Sequence, residues 1–494
     1  MGHAGVLMRA LREREALDYA GFRQRVLAHA ARGDRLVSAF GGPDASAPPN
    51  RPALHAVFLE RDRGLVHFTG RHREGETYHS LTPELPAMHC FEREIHERWG
   101  LRVIDHPWLK PIRFGGEHQR TMGAYPFYSL EGKEVHEVGV GPIHAGVIEP
   151  GHFRFMCYGE TVHHLEIQLG YQHRGAEELV RTAAPRARSA LVESVAGDTA
   201  VGYTLAYCRA WEALCELAVP PEVEVVRGVA LELERIAMHL AGLSGLATDI
   251  AFLPGSSTYG RLRTSLINLS MRLCGSRFGR SWFRPGELRF AFGAAHKDDV
   301  RTTLAQVRAD LVSIDTLFRK SRSVRHRLRT TGTVTTALAR ELGVVGMAGR
   351  ASGLACDLRA ELRGGAYGAQ PIELVVEPDG DCWSRGVLRI REIEHSIAWI
   401  LRAVDGLPAV EAEPRRARLE PRPDTGVVSL EEGWRGEVLH YVETDAQGHV
   451  SQVKLQDPSL RNWFALAQAV RTNAIYDFPI CNKSFDLSYC GNDL

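Results

Sequence analysis

VALELERIAMHLAGL, residues 229 to 243, is the stretch that decides the fold. Its apolar residues Val229, Leu233, Ile236, Leu240 and Leu243 advance by alternating steps of four and three, the spacing that keeps side chains on one face of an α-helix. Two later stretches repeat the rhythm: Leu262, Leu266, Leu269 and Leu273, then Val300, Leu304, Val307, Leu311 and Ile314. Stripes this long must bury their apolar faces against one another, which predicts a bundle of long helices in the middle of the chain. Residues of such a stripe are core and carry no ligand role.

Away from the bundle the pattern changes. ALHAVFLERDRGLVHFTGRH (53–72) reads as two short strands around a polar turn, preceded by the Pro-rich loop PDASAPPNRP (43–52). FEREIHERWG (91–100) reads as a helix leading into the extended His-Pro segment DHPWLKPIRF (105–114). In HFRFMCYGE (152–160), Phe153, Phe155 and Cys157 alternate with His152, Arg154 and Met156, so a strand, a turn and a second strand are expected. After a Pro- and Arg-rich break (407–426), GEVLHYVETD and HVSQVKLQD form a hairpin around the turn AQG. The predicted class is α+β. A small N-terminal α/β domain spans 1–115 and a linker 116–135; residues 136–494 form a larger domain with a β-hairpin start and the helix bundle.

Composition narrows the function. The chain has 494 residues, more than one ordinary domain needs, and its 44% hydrophobic and 24% charged fractions are those of a globular protein. Sixty basic residues balance sixty acidic ones, so no net field draws it to nucleic acid or an anionic membrane. No stretch approaches the ~20 apolar residues that cross a bilayer, and charges interrupt the apolar positions of the first 21 residues, unlike a signal peptide. A location on the cytoplasmic side, held to any membrane by partners, is the expectation. The nine cysteines form no C-x-x-C pair and no cluster with His at zinc spacing, which makes most of them buried reduced thiols.

Two stretches, LGYQHRGAEEL (169–179) and VESVAGDTAVGYTLAYCRAWEAL (192–214), resemble the large subunit of energy-converting, formate hydrogenlyase-type nickel-iron hydrogenases and the related quinone-site subunit of complex I. GSRFGRSWFRPGELR (275–289), GVVGMAGRASGLACDLR (343–359) and GDCWSRGVLRIREIEHSI (380–397) continue the likeness in the same order. FEREIHERWG and DHPWLKPIRF are similar to the smaller complex I subunit, so the whole resembles a fusion of the two. The resemblance implies a peripheral-arm subunit of a membrane-bound respiratory oxidoreductase. Its partners would be an iron-sulfur small subunit, which holds the cluster, and antiporter-like membrane subunits, with no nucleic acid involved.

In the hydrogenases four cysteines hold the metals, two in an early R-x-C-G-x-C loop and two in a late D-P-C-x-x-C tail, because thiolates suit nickel and iron. The resemblance places Ala196 and Thr199 at the early positions, with Ser194 at the arginine, and Ser488 and Gly491 at the late ones, with Leu487 at the proline. Cys490 is one position out of register. No nickel-iron centre is expected, no cofactor of the chain's own, and no proteolytic maturation of the tail. Where complex I places an Asp-Tyr pair, this chain has Ala196 and Gly197, while His144 in GPIHAG corresponds to the quinone-binding histidine. Glu149 falls where hydrogenases carry a proton-passing glutamate. The candidate relay or quinone-pocket residues are therefore Glu149, His144, Asp198 and Tyr203, with Thr199, Asp486, Ser488 and Tyr489 around them. Such a cluster either binds a quinone carbonyl and relays protons, or is a hydrogen-bonded plug where metal once sat. Arg174 is expected to contact a partner or the site loop.

Overall fold

The computed structural model of the chain describes residues 5–43, 52–61, 63–71, 77–115, 122–146, 148–412 and 419–494. Most of the Pro-rich loop, the first part of the linker and the middle of the Pro- and Arg-rich break lie outside those residues. The chain is α+β, 47% helix and 20% strand, and the two kinds segregate: long helices occupy the middle of the chain and most strands its two ends.

The three apolar stripes lie on helices Pro221–Asp249, Leu253–Cys274 and Ala294–Lys320. All fourteen stripe residues are at most 5% exposed. Helix Cys382–Val404 completes the bundle, packing along Pro221–Asp249 and Ala294–Lys320. Phe153 and Phe155 point into the same core from strand His152–Tyr158, the middle strand of an antiparallel sheet between Thr161–Gln168 and Val135–Val140.

In the N-terminal part, strands Arg35–Pro43, Pro52–Glu60 and Gly64–Arg71 run antiparallel, and Ala16–Leu17 adds a parallel edge. Helix Tyr19–Ala31 starts at Asp18, whose carboxylate accepts from Gly21 N at 2.8 Å. Helix His89–Trp99 stops at Gly100, left-handed at φ 64°. The first strand, Val6–Ala10, does not join this sheet. It pairs with Thr425–Glu432, beside the predicted hairpin Glu437–Thr444 and Val450–Gln456. Val37, Phe40 and Val57 of the N-terminal sheet share one core with Val428, Leu430, Leu439 and Tyr441, so the two ends of the chain are packed as one face.

Candidate functional site

Two short segments meet where the resemblance places the metal-ligand motifs. The early one precedes helix Ala200–Leu214, whose first amide donors need acceptors. Thr199 at the N-cap makes no side-chain cap bond. The cap comes from a neighbouring helix: Glu234 accepts from Val201 N at 2.7 Å and Gly202 N at 3.1 Å. Burial raises the Glu234 carboxyl to about 8, with the Asp198 charge adding to the effect against those two hydrogen bonds.

The late segment follows helix Phe478–Phe485, which ends at Asp486 in the left-handed region, φ 56°. Ser488 then caps the short helix Tyr489–Asp493, its Oγ accepting from Gly491 N at 2.9 Å, while its own N donates to Ser459 Oγ at 2.9 Å. Asp493 accepts from Gly170 N at 2.8 Å and Gln172 N at 2.9 Å, fixing the tail to the turn that carries the LGYQHRG motif.

Two arginines join the segments. Arg174 donates to the carbonyls of Ser194 and Val195 at 2.9 Å each and to that of Cys490 at 3.1 Å. Arg435, on the turn between strands Thr425–Glu432 and Glu437–Thr444, makes a two-pronged pair with Asp198 at 2.8 and 2.7 Å. It also donates to Thr199 Oγ at 3.3 Å and to the Asp486 carbonyl. Its guanidinium lies 3.9 Å from the Trp434 ring centroid, and the Trp434 indole donates to the Asp198 carbonyl at 2.9 Å. Burial works against the Arg435 charge, yet Asp198 outweighs it and the guanidinium is held more firmly protonated than usual. Burial likewise opposes ionisation of Asp486, but Lys483, Arg389 and Arg435 together hold its carboxyl below the ordinary range.

The four predicted site residues divide. Glu149 does reach the tail: the Cys490 thiol donates to it, and its charge acts on Tyr489. Burial, reinforced by Glu149, pushes the Cys490 thiol up to about 12, and burial pushes the Tyr489 hydroxyl up to about 12. Asp198 is held in the Arg435 pair. Tyr203 turns beneath the tail, where its buried hydroxyl donates to Asp457 at 2.8 Å. His144 spends Nε2 on the Gly151 carbonyl at 3.0 Å, inside its own loop. That loop rests on the tail, since a Cβ on Gly151 would lie 2.7 Å from the Tyr489 ring.

The donor set does not fit a nickel-iron centre. Ala196 offers a methyl group and Gly491 no side chain, while the Thr199 and Ser488 hydroxyls are committed to Asp198 and to the helix cap. A guanidinium hydrogen-bonded into the same place is a poor neighbour for a metal cation. Among the described residues one group has metal-holding distances, His29, Asp34 and Glu60. The Arg32 guanidinium already occupies it, 2.7 Å from His29 Nδ1 and 3.0 Å from Asp34.

Behind the closure lies a buried ion network. Arg350 binds Glu392 at 2.7 Å and Glu432 at 2.7 Å, and Glu392 also takes a 2.7 Å hydrogen bond from His239. Arg359 joins Asp357 to Glu232, which is further bound by Tyr367 and Ser396. Arg235 carries the chain of contacts to the Glu432 and Gly433 carbonyls, next to Arg435. Arg435 was missed in the sequence because a lone Trp-Arg in a hairpin turn has no local signal of burial; only pairing across 237 positions gives it a role.

The helix bundle, with its early loop and tail meeting at one point, has counterparts among known proteins. The family described as respiratory-chain NADH dehydrogenase, 49 Kd subunit, matches residues 249–426. Formate hydrogenlyase subunit 5 of Escherichia coli K12 is 26% identical over 84% of this chain and 77% of its own length. Membrane-bound hydrogenase subunit alpha of Pyrococcus furiosus is 28% identical over 71% of this chain and 85% of its own. The carbon monoxide-induced hydrogenase of Rhodospirillum rubrum is 26% identical over 71% of this chain and 96% of its own. A chain in the solved structure of the membrane-bound sulfane sulfur reductase, an archaeal respiratory membrane complex, shares the fold, with TM-score 0.68, 23% identity and coverage of 74% of this chain and all of that one. The chain is thus similar both to complex I 49 kDa-type subunits and to large subunits of energy-converting hydrogenases.

Proposed function

We propose that the chain is a peripheral subunit of a membrane-bound respiratory oxidoreductase complex, in which a guanidinium–carboxylate closure replaces the nickel-iron centre. It would sit on the cytoplasmic side against an iron-sulfur small subunit and above antiporter-like membrane subunits. The names of its relatives support membership of such a complex, and no helix among the described residues is long and apolar enough to cross a membrane by itself. The observation that carries the reading is Arg435, bonded to Asp198, Thr199 and the Asp486 carbonyl where the resemblance puts metal ligands.

Within this reading Glu149 is the residue for proton exchange or for a quinone. It faces the Cys490 thiol and lies on a loop that exposes Ile143 (85%) and Ile148 (52%), an apolar rim suited to a partner subunit or a quinone ring. His144, on the same loop, offers its ring to the same small molecule. Asp198, held by Arg435 and Thr199, and Tyr203, held by Asp457, support the site from behind.

Two measurements test this. Elemental analysis of the purified complex is expected to give no stoichiometric nickel, and one nickel per chain would refute the closure. Glu149→Gln keeps the shape and removes the carboxylate that could exchange a proton, so turnover per assembled complex is expected to fall by ~100-fold. Unchanged turnover at normal assembly would leave the closure as a purely structural plug, a reading favoured by the saturation of Asp198, Thr199 and Ser488.

A further inference from the structure

A pair of sulfurs lies beside the base of the tail, apart from the closure. Cys382 is the first residue of helix Cys382–Val404, which Asp381 caps by accepting from Ser384 N at 2.8 Å. Cys481 sits on helix Phe478–Phe485, and both cysteines are buried. The Cys481 thiol donates to the Cys382 sulfur. Both sulfurs press on Gly332: a Cβ there would lie 2.6 Å from the Cys481 sulfur and 3.3 Å from that of Cys382. Gly332 has φ +63°, so a glycine lets the covering loop lie flat on the pair. On either side of Gly332, Thr331 is half-buried and Thr333 exposed.

Charge singles this pair out. Arg385, one turn along the helix, is fully buried and donates to Ser484 Oγ at 2.8 Å, to the carbonyls of Gly380 at 2.7 Å and Gly332 at 2.8 Å, and to the Cys382 sulfur at 3.4 Å. None of those partners is a carboxylate, and a buried guanidinium without a counter-charge is costly. A thiolate at Cys382 supplies the counter-charge. The helix N-terminus and the Cys481 donor favour the same state. Burial opposes it, but the Cys481 hydrogen bond and Arg385 win, and the Cys382 thiol is held at about 6. The Cys481 thiol, giving its proton to that bond, is pushed well above the usual value. The other charged groups facing the pair are Asp381, already capping the helix and accepting from Thr330 N at 2.8 Å, and Asp477 on the Cys481 side.

We propose that Cys382 and Cys481 are a reactive dithiol which hydroperoxides oxidise to a disulfide, stapling the base of the tail to the helix bundle. The Cys382 thiolate attacks one peroxide oxygen, the O–O bond breaks, and hydroxide leaves. The Cys481 sulfur then attacks the resulting sulfenic acid, the S–O bond breaks, and water departs with the Cys481 proton as the S–S bond forms. Two thiol sulfurs lose two electrons, and the peroxide gains them. Because the tail carries Asp486, Ser488 and Asp493, the staple fixes the closure in place.

The test uses the assembled complex, treated with hydrogen peroxide at pH 7, alkylated, and digested without reduction. Mass spectrometry is expected to find a peptide linking Cys382 to Cys481, two hydrogens lighter than the sum of its parts and lost on adding dithiothreitol. Cys490, whose thiol is pushed up, should remain alkylated. In Cys481→Ser the resolving thiol is gone, and dimedone should label Cys382. Adding Arg385→Gln to that variant should slow labelling at pH 7, by about twofold if the thiol regains one unit from about 6 and about tenfold in all if it regains two. Recovery of Cys382 and Cys481 fully alkylated while other cysteines oxidise, or dimedone labelling that spares Cys382, would overturn the proposal.

Discussion

Replacing Arg435 with Met keeps most of the side-chain volume and removes the guanidinium that joins the early loop to the tail. The Arg435 side chain is 6% exposed and that of Asp198 38%. Breaking a fully buried pair costs about 3–5 kcal/mol. Asp198 keeps a route to water, which moves the pair toward the ~1 kcal/mol of an exposed bridge. The lost hydrogen bonds to Thr199 Oγ and the Asp486 carbonyl add about 1 kcal/mol each. Together these weaken the closure by about 3 kcal/mol, which in local opening is roughly a hundredfold. Asp198→Asn leaves Arg435 its carbonyl partner and costs about 2 kcal/mol. As the two mutations share one interaction, the double mutant should lose about 1–2 kcal/mol less than the sum. Hydrogen-exchange mass spectrometry of peptides covering 196–204 and 486–494 reads both segments at once. Accelerated exchange in both is expected. Unchanged exchange in Arg435→Met, or strict additivity in the cycle, would show that this pair does not hold the segments together.

Gly346→Ala should disturb the same turn from the other side, because Gly346 has φ +61° and a Cβ would lie 2.0 Å from the Arg435 carbonyl oxygen; a loss of several kcal/mol in denaturant unfolding checks this. For Glu234 the sign follows from its raised carboxyl: the folded state holds a proton that the unfolded chain has released, so stability falls as pH rises from the ordinary carboxyl value of 4.5 to about 8 and levels off above that. Glu234→Gln should remove that part of the slope in urea midpoints measured from pH 5 to 9, and an unaltered slope would point to another group. Glu392→Gln strips Arg350 and His239 of a shared buried partner and should cost about 3–5 kcal/mol, seen as lost assembly on immunoblots with normal turnover in whatever complex survives.

The bundle was legible because helix formation leaves a local signature. Five residues at steps of four and three name a buried face, and Val229 to Leu243 are buried as that spacing requires. Strand alternation likewise announced His152–Tyr158 and the hairpin from Glu437 to Gln456. The identities of Ala196, Thr199, Ser488 and Gly491 were equally readable, while their place at ligand positions came from the resemblance.

How the early loop and the tail are joined is a matter of distant partners. Arg435 meets Asp198 across 237 positions, Arg174 meets the Cys490 carbonyl across 316, and Tyr203 finds Asp457 rather than a pocket across 254. The strand Val6–Ala10 crosses to the far end of the chain because the edge of Thr425–Glu432 offers its ladder of donors and acceptors there. The sequence by itself determined the helix stripes, the strand alternation and the α+β class, each written in neighbouring residues. Only the tertiary structure decided which polar groups satisfy one another, because a buried charge takes its partner from whatever the packing brings within about 3 Å, however far away in the chain.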